Sequence, residues 1–150
     1  MDRNRRGGCV HRPHEKEVVE VLTELVVRLE HRPGALAALG ELLGRNDVDI
    51  VALAVVAVPG QEALAHMVVE PADVAVKVLG EAGVRPERVH EVLVVTLEDE
   101  PGALGRYCRK LADAGINLEA VYLAGEDDGS KQLVMSVSDL DAARGVRPLP

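Results

Sequence analysis

The period of apolar positions along the chain changes several times, and each change predicts an element. Leu22 to Glu30 is a run rich in Val and Leu with the length of a strand. Pro33 follows, suited to the first turn of a helix, where its fixed φ helps and its missing donor costs nothing. Leu36, Leu39 and Leu43 then recur at helical spacing until Gly44. Ile50 to Val58 reads as a second strand, turning at Pro59-Gly60 into a third, Ala63 to Glu70. Pro71 opens another helix through Val74, Val78 and Leu79, which Gly83 closes. Residues 88 to 98 have strand composition again.

The second half follows the same order. Leu104, Tyr107, Cys108 and Leu111 mark a helix, Asn117 to Ala124 a strand, and Asp128-Gly129 a hairpin. Gln132 to Ser138 alternates, with Leu133, Met135 and Val137 predicted inward and Gln132, Val134, Ser136 and Ser138 outward. Helical character after Asp139 stops at Gly145, and Pro148 and Pro150 leave no room for a further strand.

The parallel order reflects an internal repeat. Laid over itself at an offset of 68, the segment 26 to 56 matches 94 to 124 at ten positions, among them Leu29, Glu30, Pro33, Gly34, Ala35 and Leu36 with their partners. Chance supplies about three such matches, so two units of one fold stand in tandem. Each reads β-α-β-β-α-β, which predicts an α+β protein of two ferredoxin-like sandwiches with antiparallel sheets and helices on one face. The first unit spans 18–88 and the second 89–150, with residues 88 to 98 serving both. The second unit lacks its last strand, which leaves an edge to be covered. The strands VALAVVAV and ALAHMVV are apolar on both alternations, so their second face is also expected to leave water, covered by another copy of the chain.

Composition narrows the function. At 150 residues and 16.0 kDa with a formal charge of −8, the chain repels phosphate backbones and anionic membranes, so a nucleic-acid or membrane partner is not expected. With no Phe, no Trp and two Tyr it also lacks stacking platforms for single strands. No apolar run approaches the roughly 18 residues of a membrane span, and no signal region follows the charged N-terminus, which reads as cytoplasmic. Residues 1–17 form a basic tail expected to be disordered. Its Cys9, His11 and His14 are ligand types that suit zinc, but no second ligand pair follows at finger-like spacing.

A strand ending in Glu, a turn with Pro-Gly-Ala-Leu opening a helix, and Gly-Ile-Asn-Leu opening the next strand together resemble the ACT domain. The resemblance covers about residues 22 to 144, and the chain is similar to stand-alone tandem-ACT proteins. It implies a regulatory module that binds an amino acid at the interface between paired units. In the regulatory domain of phosphoglycerate dehydrogenase, an Asn two residues before the Pro and another eighteen further on hold the ligand. The positions corresponding to these are Asp99 and Asn117 in the second unit and His31 and Asp49 in the first. With their neighbours Glu100, Gly102, Ala103, Leu104 and Leu118, and Gly34, Ala35, Leu36 and Ile50, they form the implied ligand-binding set. His31 and Asp49 depart from the family's pairing.

These residue types suit a zwitterion, which needs an acceptor for its ammonium and donors for its carboxylate. Asp99 or Asp49 supplies the acceptor, free N–H groups near Gly102 and Gly34 the donors, and Asn117 either. The glycine leaves room for a ligand to approach those amides. Ordinary structural roles compete: Asp99 as a helix cap, Asn117 as the start of a strand after a tight turn. Cys108 is expected buried and inert. His66 and His90 lie on separate strands with no nucleophile or carboxylate at a catalytic spacing, and Asp127 and Asp128 fall in a hairpin turn. Glu98, Asp99 and Glu100 form an acidic cluster of the kind that attracts a divalent cation. The expectation is therefore an amino-acid-binding regulatory protein, a homodimer, with no catalytic residues, cofactor or metal and a metabolic enzyme as partner. The alternative is an interaction module that docks on such an enzyme through its apolar sheet face without a ligand.

Overall fold

The computed structural model describes residues 19–148. The tail and its Cys9, His11 and His14 lie outside the described residues. In chain order the elements are β1 (Val19–Leu29), α1 (Ala35–Arg45), β2 (Asp49–Ala57), β3 (Ala63–Glu70), α2 (Ala72–Glu81), β4 (Arg88–Glu98), α3 (Ala103–Asp113), β5 (Leu118–Asp127), β6 (Ser130–Val137) and α4 (Leu140–Arg144). Each predicted element forms within a few residues of its predicted bounds, and the hairpin residues Asp128 and Gly129 take the positive φ of a tight primed turn. No helix among the described residues is long and apolar enough to cross a membrane.

The two units share one antiparallel six-stranded sheet, ordered β2-β3-β1-β4-β6-β5. β1 and β4 are each eleven residues long and each is used twice. They pair from Val19↔Val95 to Val26↔Arg88, while β3 pairs only with the C-terminal part of β1, Glu24 to Leu29, and β6 only with Leu93 to Glu98. The first part of β4 thus completes the first unit. The first part of β1 takes the fourth-strand place of the second unit, where Val19 and Val21 pack into its core. The edge left by the missing last strand is covered from within the chain.

One face of the sheet carries the four helices over two cores. Leu25, Val27, Met67, Leu39, Leu43 and Leu79 fill the first; Leu93, Val95, Met135, Tyr107 and Leu111 fill the second. The other face was expected to need a second copy to cover it. Instead the sheet covers much of it: twist accumulates over six strands until the edge strands β2 and β5 come into contact. Ala52, Val68, Val92, Val94 and Val134 are buried between them, with Val51, Tyr122 and Ala124 packed alongside. Val134 and Ser136, predicted outward toward solvent, are buried for this reason.

Candidate functional site

The two Pro-Gly turns have the same backbone. Gly34 takes φ 88°, ψ −13° and Gly102 φ 89°, ψ −11°, with Ala35 N donating to Arg32 O and Ala103 N to Glu100 O. Proline at the second position and a positive-φ residue at the third make a type II turn, so each helix begins after the glycine rather than at the proline. The glycine is required by its φ. A Cβ on Gly34 would meet no atom of the protein nearer than 4.0 Å, so the space beside the turn is open. Neither helix has a side-chain cap, and Asp99 does not cap α3.

At the first turn a cleft of about 430 Å³ opens between the turn, the start of α1 and the ends of β2 and β3. Its polar rim is Glu30, His31 and Arg32, with the Arg32 guanidinium bound to the Glu30 carboxylate. Its walls are apolar: Leu29, Leu36, Val55, Ala57 and Ala63. Leu36 follows the helical period of Leu39 and Leu43 but stays 42% exposed, because it faces the cleft and not the core. Leu104, its repeat partner, is exposed to the same degree at the second turn.

The second turn is built from different charges. Glu30, His31 and Arg32 become Glu98, Asp99 and Glu100. Ala63, which pairs with Leu29, becomes Lys131, which pairs with Leu97. Across from it Glu126 takes the place of Ala57. Lys131 Nζ lies 2.8 Å from Asp99 Oδ1 and 3.8 Å from Glu126 Oε1, and Arg106 binds Glu100. Asp99 and Glu100 of the acidic cluster read from the sequence are thus paired with cations of the chain itself.

The second member of each expected pair stands elsewhere. Asp49 pairs with Glu70 at the start of β2, whereas Ala57, beside the cleft, pairs with Ala63 at its other end. At about 3.3 Å per residue, roughly 25 Å of strand separates Asp49 and Ile50 from the first turn. Asn117 and Leu118 are likewise at the opposite end of β6 from Asp99. Asn117 N donates to Ser138 Oγ and its carbonyl accepts from Ser138 N, each at 2.9 Å, which tethers the start of β5. Within one chain His31 and Asp49 do not meet, nor do Asp99 and Asn117.

The curled face holds a polar cluster that sequence reasoning missed. Glu24 is fully buried in the middle of β1. Its Oε1 accepts from Tyr122 Oη at 2.7 Å, and its Oε2 lies 3.1 Å from His90 Nε2 and 3.5 Å from His66 Nδ1. Burial, and then Glu24, push the Tyr122 hydroxyl far above the usual phenol range. Burial, and then Arg88, hold the His90 imidazole below its ordinary value. Ser136 Oγ is 3.2 Å from the same His90 Nε2 and donates to Glu119. A serine, a histidine and a carboxyl are therefore together, but one ring nitrogen faces both partners, and Ser136 is 2% exposed, so there is no nucleophile-base-acid relay. The signal in the sequence was an acid interrupting an apolar strand. Cys108 is half-buried in α3, and burial pushes its thiol up, away from thiolate reactivity. Among the described residues no group of three His, Cys, Asp or Glu is arranged to hold a metal.

No protein-family model and no curated protein matches this chain. Solved structures do. A protein from Bacteroides thetaiotaomicron superposes with a TM-score of 0.76 at 23% identity, covering 85% of this chain and 87% of that one. The ligand-free regulatory subunit of aspartate kinase from Thermus thermophilus gives 0.61 at 13% identity, over 83% and 91%. That from Thermus flavus gives 0.58 at 15%, over 84% and 90%. At these identities the likeness is one of fold: this chain shares the fold of the two aspartate kinase regulatory subunits over most of its length.

Proposed function

We propose that this protein is a regulatory receptor for a free amino acid, held at the Pro-Gly turns where ACT units meet. The single observation that carries the reading is the first-turn cleft, which sets an acid-base pair beside an apolar hollow. A zwitterion exchanges into such a pair with both charges matched, and the half-open cleft beside it has room for a small side chain. The chain has no catalytic role in this reading. Its place is that of the Thermus proteins named as regulatory subunits, associated with a metabolic enzyme.

The cleft opens beside edge strand β2, where Leu53, Val55, Val56 and Val58 remain exposed. A second copy seated there makes a homodimer and closes the cleft. Asp49 and Asn117, remote from the turns of their own chain, join a site only from a neighbouring module. The ligand regulates to the extent that it prefers one arrangement of the modules.

Thermal unfolding with each of the twenty amino acids tests this. A ligand at 100 times its Kd stabilises by about 2.7 kcal/mol, and Arg32→Ala is expected to remove that response while leaving the unliganded Tm nearly unchanged. Silence from all twenty favours the second reading, docking on an enzyme through the same exposed β2 residues.

A further inference from the structure

We infer that the ligand is an amino acid with an uncharged, apolar side chain, and that each chain binds one, at its first turn only. The inference rests on the receptor reading and narrows it. The charged groups on the cleft rim, Glu30 and Arg32, match the two charges every amino acid carries on its backbone. Beyond them the side chain meets Leu29, Leu36, Val55, Ala57 and Ala63. An ammonium or carboxylate placed there loses water and gains no partner, whereas a methyl group gains contacts.

The second turn refuses the same ligand for two reasons. Where the first unit has the small pair Ala57 and Ala63, it has Glu126 and Lys131, which put two charged side chains in place of two methyl groups. Lys131 Nζ stands 2.8 Å from Asp99 Oδ1, where the first turn has His31, so the second turn presents a charged pair in place of an apolar wall. Arg32, the rim cation of the first turn, is Glu100 in the second, and the cation bound to it, Arg106, comes from within α3.

Isothermal titration of the full chain with L-leucine, L-norleucine, L-lysine and L-aspartate tests the assignment. Norleucine has the same straight four-carbon chain as lysine without its ammonium, so the pair isolates the charge. Leucine and norleucine are expected to bind at one per chain, with lysine and aspartate at least tenfold weaker. Val55→Asp, at a position on the cleft wall that is 38% exposed, is expected to weaken leucine at least tenfold while leaving the unliganded Tm nearly unchanged. Ala57→Glu, which places the counterpart of Glu126 at an exposed position of the first turn, is expected to abolish it while leaving the unliganded Tm nearly unchanged. Tighter binding of lysine or aspartate, or two leucines per chain, overturns this inference and leaves the receptor reading standing. No binding of leucine or norleucine also overturns this inference, whereas silence from all twenty amino acids in thermal unfolding overturns the receptor reading itself.

Discussion

Gly34 and Gly102 show how one residue sets the geometry of a site. Their φ near 90° lies in the region that a Cβ disfavours by about 1–2 kcal/mol, so Gly34→Ala or Gly102→Ala is expected to lower stability by about that amount in urea denaturation. An unchanged midpoint would show that the turn relaxes. Glu24 makes the opposite case, a single polar atom set committing three strands. Replacing Glu24 by Ala leaves the half-buried Tyr122 hydroxyl without its acceptor, at a cost of about 1 kcal/mol. Tyr122→Phe combined with Glu24→Ala is expected to cost less than the two changes summed, and strict additivity would mean the pair is not coupled.

His90 adds a pH dependence at the same scale. Its folded-state pKa is lowered, by burial first and by Arg88 second, against the pull of Glu24 and Glu119. The fold therefore favours the neutral ring. That contribution is complete above the unfolded imidazole value of about 6.5 and is lost as pH falls through it toward the folded value. Denaturation midpoints are expected to decline between pH 7 and 5 less steeply in His90→Gln than in the native chain. An equal slope in both would assign the decline to other groups.

At the scale of elements, the division of β1 carries the architecture. Its C-terminal part packs Leu25 and Val27 into the first core and its N-terminal part packs Val21 against the second. Val21→Asp is therefore expected to loosen α3, which lies far along the sequence, and hydrogen exchange is the readout: protection should fall at Tyr107 to Leu111 more than at Leu39 to Leu43. Equal loss in both helices would mean that the two cores open together. The elements themselves were legible because period and turn chemistry are local properties. The double use of β1 was not, since nothing in Val19 to Thr23 distinguishes a strand that continues its own unit from one that completes its neighbour's.

For the molecule as a whole, two shared strands make separate unfolding costly. Opening either unit exposes one side of the β1–β4 ladder and part of the other core, so heat is expected to give one transition, with calorimetric and van't Hoff enthalpies equal. Two resolved transitions would show that the ladder does not couple the units.

The sequence by itself determined the tandem repeat, as a match of the chain to itself, and also the order of strands and helices and the positions of the Pro-Gly turns, which depend on residues within a turn or two of one another. Tertiary structure decided the rest. Only strand register sets Lys131 where Ala63 stands in the other unit, gathers Glu24, His66, His90 and Tyr122, and parts Asp99 from Asn117 by the length of β6. Register follows from packing both faces of a sheet whose edges curl into contact, and that is a property of all six strands at once.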